Sequence, residues 1–269
     1  MAKLFCSDRI VPAWLSAVRS LATAPERTDR NFVLEVSSPT RLNAEDVAVV
    51  NAVDAELRKT NGGIGVYTVA ATIFPQRMYM RYGRPAFYSR FLTIMKKGQK
   101  PHTWGTYAMR MMERTHPRAR KEINPLEIIV AKLQKTKTDR KIRSAYELGL
   151  HEVADVLDNE IGGEMPIYAP ATDGGHATNI PCLSHLSFKL DPEHNAIDLT
   201  AIYRSHHYGR RALGNLIGLS QLQAFVATES GYTPGVLTCV STLAHLDVGA
   251  FGGVAATNAL LRRLPPATA

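Results

Sequence analysis

Residues 183–203 read L-S-H-L-S-F-K-L-D-P-E-H-N-A-I-D-L-T-A-I-Y. Leu186, Phe188 and Leu190 alternate with polar neighbours on one side of D-P-E-H-N, and Ile197, Leu199, Ala201 and Tyr203 do so on the other. Alternation of period two sends successive side chains to opposite faces of a sheet. Asp, Pro and Asn between two such runs favour a turn. The stretch therefore predicts an antiparallel hairpin with one face in a core. Downstream, Leu216, Leu219, Leu222, Gln223 and Val226 recur at helical spacing and predict a helix over 213–229. A strand is expected at 236–240.

Upstream, Asn43 reads as an N-cap with Glu45 and Asp46 in the first turn, and Val49, Val50, Val53 and Leu57 mark one face of a helix over 44–59. Asn61-Gly62-Gly63 breaks it. The β-branched run at 67–74, stopped by Pro75, predicts a strand. Helices are expected over 86–97, over 105–114, and around Leu126, Ile129, Val130 and Leu133. Residues 162–180, rich in Gly and Pro, predict a loop. Strands and helices alternate and at least one pair is antiparallel. That makes the fold class α/β (α+β), a mixed sheet flanked by helices.

Length and composition agree. The chain has 269 residues, 45% of them hydrophobic, enough for one substantial core. No apolar run approaches the ~20 residues that span a bilayer. Asp8 and Arg9 interrupt the N-terminus before an apolar signal segment can form, so a soluble, cytoplasmic protein is expected. Cys6, Cys182 and Cys239 form no C-x-x-C pair, and no H-E-x-x-H occurs, so neither a disulfide framework nor a metal site is expected. The net charge of +8 suggests anionic partners. For any one basic cluster a solvated surface is the plainer reading. Nucleic acid ranks last among partners, because no aromatic-basic module accompanies the charge.

The chemistry gathers at 202–215, I-Y-R-S-H-H-Y-G-R-R-A-L-G-N, twenty residues beyond Pro181-Cys182. A thiol attacks as thiolate, and a nearby guanidinium favours that form. Arg204 ends the second hairpin strand, so it can meet Cys182 at one end of the sheet. Arginine beside serine cradles phosphate, because the guanidinium fork matches its oxygens. Asn215 carries a donor and an acceptor that can read a base edge. Plainer readings stand beside these. Cys182 could be a structural thiol, His206 and His207 a surface pair, His245 a core histidine, and Arg210 and Arg211 either solvated or phosphate contacts. W-G-T-Y-A-M-R-M-M at 104–112 reads first as a core helix, with Tyr107 or Arg110 turned to a cleft as the second option. Asn61 to Gly65 reads as a plain turn, while Arg58 or Lys59 could reach a phosphate.

The pattern Pro181-Cys182, two strands, Arg204-Ser205, Gly214-Asn215, a long helix and T-x-x-H-L at 242–246 resembles thymidylate synthase and the related pyrimidine nucleotide hydroxymethylases. Arginine to asparagine and asparagine to histidine lie at eleven- and thirty-residue intervals, similar to that family's. W-G-T-Y at 104–107 and Asp139-Arg140-Lys141 after a helix resemble the family more faintly. The chain then reads as a single domain with residues 1–60 as a divergent N-terminal extension.

The resemblance implies that Cys182 adds to C6 of a pyrimidine nucleotide monophosphate and makes C5 nucleophilic. It implies that Arg204 and Ser205 bind the 5′-phosphate and that Arg204 supports the thiolate. Asn215 would contact the O4/N3 edge, leaning towards uracil, and His245 the sugar 3′-hydroxyl. Arg140 and Lys141 would serve the phosphate site of a partner subunit in a homodimer. The implied one-carbon donor is 5,10-methylenetetrahydrofolate. The departures are specific. Leu183 stands where the family has His, with His185 displaced by two, and Asp247 stands where it has Tyr. His207 occupies the position of a folate-contacting Asp, and no Glu lies in 85–97. They motivate the alternative of a nucleotide-binding protein that has lost folate chemistry.

Overall fold

The structure, a computed structural model, describes residues 1–99, 104–115, 121–137, 163–167 and 181–266. Arg140, Lys141 and most of the expected loop at 162–180 lie outside these. Strand β1 (Lys3–Ser7), helix α1 (Ile10–Thr23) and strand β2 (Thr28–Val36) open the chain. Helices α2 (Ala44–Lys59), α3 (Val66–Ile73), α4 (Gln76–Tyr82), α5 (Ala86–Gly98) and α6 (Tyr107–Met112) follow. A short pair, β3 (Arg114–Thr115) and β4 (Glu122–Ile123), precedes α7 (Pro125–Lys135) and β5 (Gly163–Pro166). Then come β6 (Leu183–Asp191), β7 (Ala196–Tyr203), β8 (His206–His207), α8 (Ala212–Ser230), β9 (Thr233–His245) and α9 (Val254–Arg263).

The main sheet runs β1-β2-β9-β7-β6-β5, and β8 pairs with β9 beyond the end of β7. The β1/β2, β7/β9 and β8/β9 pairs are parallel, and the others are antiparallel. The mixed sheet expected from sequence is present. The 183–203 hairpin forms with Leu190 opposite Ile197 and Leu183 opposite Tyr203. A bulge between Leu183 and His185 absorbs one residue, so Leu183, Leu186 and Phe188 are all buried despite their uneven spacing. Bulges re-aim a strand, and this one lies at the start of β6, next to Cys182. Strand β9 is longer than 236–240 because it is central, paired to β2 on one side and β7 on the other.

Helix α8 is buried almost all round, as a helix inside a core must be. Its Gly214 and Gly218 lie against α3. A Cβ on Gly214 would come within 2.6 Å of Val66 O, and one on Gly218 within 2.6 Å of Ala70 O. The buried Gln223 of α8 donates Nε2 to the carbonyls of Ile197 (2.8 Å) and Gly235 (3.1 Å), where the β7/β9 register shifts. Helix α2 carries the expected cap: Asn43 accepts from Asp46 N, and Asp46 accepts from Asn43 N.

Two expectations are corrected. Residues 67–73 belong to α3, not to a strand, and Phe74 caps it. Val66, Val69, Ala70 and Ile73 are the buried residues, at helical spacing, and that periodicity overrides their β-branched composition. Within the expected loop, Gly163–Pro166 is a strand paired antiparallel to β6. Among the described residues, no helix is long and apolar enough to cross a membrane.

Candidate active site

Cys182 lies one residue before β6, half-buried against the core. Two elements fix it. Tyr107, the first residue of α6, accepts from the backbone N–H groups of Cys182 (3.2 Å) and Leu183 (3.4 Å) through its phenol oxygen. Arg204 donates Nε to Pro181 O at 2.9 Å and its backbone N–H to Cys182 O at 3.0 Å. Burial pushes the Cys182 thiol up, and the guanidinium groups of Arg204 and Arg211 oppose this without offsetting it. Arg204 thus acts in the expected direction, but the resting group is a thiol. Burial, with the neighbouring Cys182, pushes the Tyr107 phenol up to about 12.

The residues after β7 form a buried polar relay. His206 is buried and stacks on Tyr203, with ring centroids 3.9 Å apart and planes 4° from parallel. Its Nε2 lies 3.0 Å from Asn215 Nδ2, and its Nδ1 lies 3.0 Å from Ser241 Oγ. Ser241 Oγ in turn meets Tyr208 Oη at 3.1 Å. Burial, with a smaller push from His207, brings the His206 pKa down to about 3, so the imidazole is neutral. An amide nitrogen only donates, so Asn215 makes Nε2 an acceptor. The ring proton then sits on Nδ1 and is donated to Ser241. His206 is a core group, which corrects its reading as one of a surface pair.

The turn that follows decides which arginine is available. Asp247, buried, accepts from the backbone N–H of Gly209 (2.8 Å) and of Arg210 (3.3 Å) and pairs with Arg210 Nε. A Cβ on Gly209 would come within 2.8 Å of Asp247 O, so the turn needs glycine there. Trp14 Nε1 ties Tyr208 O to α1 at 3.2 Å. Arg210 is committed to Asp247. Arg211 instead lines a cavity of about 330 Å³ together with Cys182, Ser205, His206, His207 and Asn215. Trp104, Tyr107 and Thr72 complete much of the wall, and none of the described lining residues is a carboxylate. Arg210 and Arg211 both border a neighbouring cavity of about 130 Å³ against Asn61, Gly62 and Gly63.

Of the residues singled out from sequence, Cys182, Ser205, His207 and Asn215 meet in the one cavity. Arg204 is exposed and brackets Cys182 through the backbone rather than lining the cavity. His245 is also outside the lining. Its Nδ1 lies 2.8 Å from Thr28 Oγ1, and its ring is 5.8 Å from that of His207. Arg58 and Lys59 pair within α2, with Asp54 and Glu56. Cys239 is buried, its thiol pushed up to about 12 by burial, and Cys6 is exposed. Sequence reasoning missed Ser241 altogether. A polar residue alternating with Cys239 inside an apolar strand was its only signal. Among the described residues, no group of three or more His, Cys, Asp or Glu could hold a metal ion.

No protein-family model matches the chain. A Methanosarcina mazei protein described as "Putative thymidylate synthase" is 29% identical over 125 residues, 46% of this chain and 46% of that protein. A Methanosarcina barkeri protein of the same description is 39% identical over 67 residues, 25% of this chain and 30% of its own. The chain thus spans about half the length, or less, of the curated relatives it matches. The structure of thymidylate synthase from T4 phage superposes with a TM-score of 0.50 over 94% of this chain and 81% of that one, at 13% identity. The chain is thymidylate-synthase-like in sequence and in fold. The likeness to the phage enzyme is one of fold alone. Its mixed sheet carries Cys182 at the entry to β6 and Asn215 in the first turn of α8.

Proposed function

We propose that the 330 Å³ cavity binds a pyrimidine nucleotide monophosphate, uracil type favoured, and that Cys182 adds to C6 of the base. The observation that carries this reading is the convergence of a thiol, a guanidinium, a hydroxyl and an amide on one cavity from separate elements. Cys182 precedes β6, Ser205 precedes β8, and Arg211 and Asn215 open α8. Arg211 and Ser205 offer the donors that a phosphate requires. Asn215 offers the paired donor and acceptor that a base edge requires.

As the Sγ–C6 bond forms, the C5=C6 electron pair moves onto C5 and O4, and the thiol proton leaves to water. C5 becomes nucleophilic, which is what nucleophilic catalysis by a thiol provides. Asn215 would take up the charge growing on O4, and Tyr107 holds the Cys182 backbone in place. The described lining does not fit a reduced folate in the way the family's Asp would: a pterin presents N–H donors, and His207 stands in place of the carboxylate. One-carbon transfer or hydroxymethylation is therefore the reaction class the likeness supports, with the donor unassigned. The same observation favours a second reading, a nucleotide-binding protein without folate chemistry. A homodimer belongs to the first reading. It is supported by Leu4, Val33, Ile202 and Val240 on the strands, none of which is buried.

The test is alkylation read by mass spectrometry. dUMP or UMP should slow iodoacetamide modification of Cys182 and leave exposed Cys6 unchanged. Equal modification of Cys182 with and without every pyrimidine nucleotide would sink the reading.

A further inference from the structure

The geometry points to a second oxyanion subsite in the 130 Å³ cavity beside Arg211, which takes a phosphate group in addition to the one at Ser205. The inference rests on the nucleotide-site reading above and carries it from one phosphate to two. A pyrimidine nucleoside diphosphate is the simplest molecule that brings both groups.

The two cavities share a wall, because Arg211 and Ile64 line both. The larger also holds Cys182, Ser205 and Asn215, and the smaller runs past Asn61, Gly62, Gly63, Arg210 and Gly249. A guanidinium offers five N–H donors in a planar fork. One that stands between two cavities can donate into each. The two phosphates of a diphosphate share a bridging oxygen, so they lie side by side and suit a shared donor. Arg211 is half-buried, and among the described residues its side chain has no hydrogen-bond or ion-pair partner. A partly desolvated guanidinium without a carboxylate is a charge that an anion offsets.

The rest of the small cavity agrees. It is far smaller than a pocket for a whole ligand and fits one tetrahedral group. None of its described lining residues is a carboxylate. The carboxylates on neighbouring elements are engaged, Asp247 by Arg210 and the Gly209 N–H, Asp54 by Arg58 and the Val66 N–H. Arg210 spends Nε on Asp247 and keeps its two terminal nitrogens. Part of the wall is a turn of bare backbone. Gly62 has φ +73°, and a Cβ on Gly63 would come within 1.8 Å of Leu57 O, so neither position takes a side chain without strain. No side chain caps α8 and no acidic residue stands in its first turn, so the positive end of that helix stays unneutralised just after Arg211.

Gly249 allows a test. It lines the small cavity and not the large one, and a Cβ there would meet nothing within 4 Å. Gly249→Asp adds a carboxylate to the wall, and Gly249→Asn adds the same bulk without charge. Calorimetry would compare UMP with UDP, and dUMP with dUDP, at one ionic strength. Inorganic phosphate would be titrated into free and UMP-saturated protein. Wild type should bind the diphosphate roughly tenfold more tightly, as expected from one further charge-assisted contact. Gly249→Asp should remove that advantage and Gly249→Asn should keep it. Equal affinity for mono- and diphosphate, with inorganic phosphate binding the UMP-saturated wild type and weakened by Gly249→Asp alone, would support the subsite and assign its oxyanion to a separate molecule. No diphosphate advantage and no phosphate binding beside UMP would overturn the subsite and leave the nucleotide reading standing. So would identical results with Asp and Asn at position 249. If no pyrimidine nucleotide binds, the nucleotide reading falls. Phosphate binding to the free protein that Gly249→Asp weakens and Gly249→Asn does not would then still support the subsite, and its absence would overturn both.

Discussion

Cys182 and His206 illustrate the same contest, between burial and the charges around a titratable group. For Cys182 two guanidinium groups favour the thiolate and burial wins, so its thiol is pushed up. For His206 burial acts almost alone, and the imidazole stays neutral well into acid. That has a thermodynamic consequence. The folded-state pKa, about 3, lies below the ordinary value of 6.5. As pH falls below 6.5 the unfolded chain takes up a proton that the folded chain refuses, so stability falls between pH 6.5 and 3, by at most ~1.4 kcal/mol per pH unit. Glu127, Glu56 and Asp29, whose pKa values are lowered by ion pairs, lose stability in the same direction. The His206 part is therefore read as a difference. Urea midpoints of wild type should drop more steeply from pH 7 to pH 5 than those of His206→Gln, and parallel curves would contradict the buried neutral imidazole.

Among the elements, the close α3–α8 contact backs the first turn of α8, which holds Asn215. Gly214 precedes Asn215, and Gly214 and Gly218 let α8 approach α3 to a distance that no side chain allows. Gly218→Ala should therefore destabilise the protein by about 1–3 kcal/mol, the usual cost of overpacking, in a urea titration. Gly98→Ala at the end of α5, where a Cβ would meet nothing within 4 Å, should change stability far less. Equal effects would mean that the close approach is not tight. The same pair of helices shows how far sequence can be read. The hairpin, α2 with its Asn43 cap, and α8 were legible because periodicity and local chemistry agree there. Helix α3 was not, because V-Y-T-V-A-A-T-I has the composition of a strand and the spacing of a helix, and only its packing partner decides between them. At the site, Cys182, Ser205 and Asn215 were legible from the order of chemical groups along the chain. His206 was not, because nothing local distinguishes a buried histidine from its half-exposed neighbour His207. Burial is a property of the folded core. Arg210 and Arg211 likewise look alike in sequence, and only Asp247, thirty-six residues beyond Arg211, separates their roles.

At the scale of the whole molecule, one central sheet carries both the core and the candidate site. Strand β9 joins the N-terminal strands to the hairpin, so residues 3–36 share a sheet with the elements that hold the site. The β6 bulge, the β8 turn and the first turn of α8 bring Cys182, Ser205, Arg211 and Asn215 to one cavity. The central claim is that this arrangement lets Cys182 add to a pyrimidine ring. C5 hydrogen exchange tests it most directly, because addition at C6 is what makes C5 exchangeable, whatever one-carbon donor follows. The protein would be incubated in heavy water with dUMP, UMP, dCMP or CMP, and the C5 proton followed by NMR beside Cys182→Ala. The account predicts deuterium entering C5 of a uracil nucleotide with wild type and not with the variant. Equal exchange in the two, or none with any nucleotide that demonstrably binds, would contradict it.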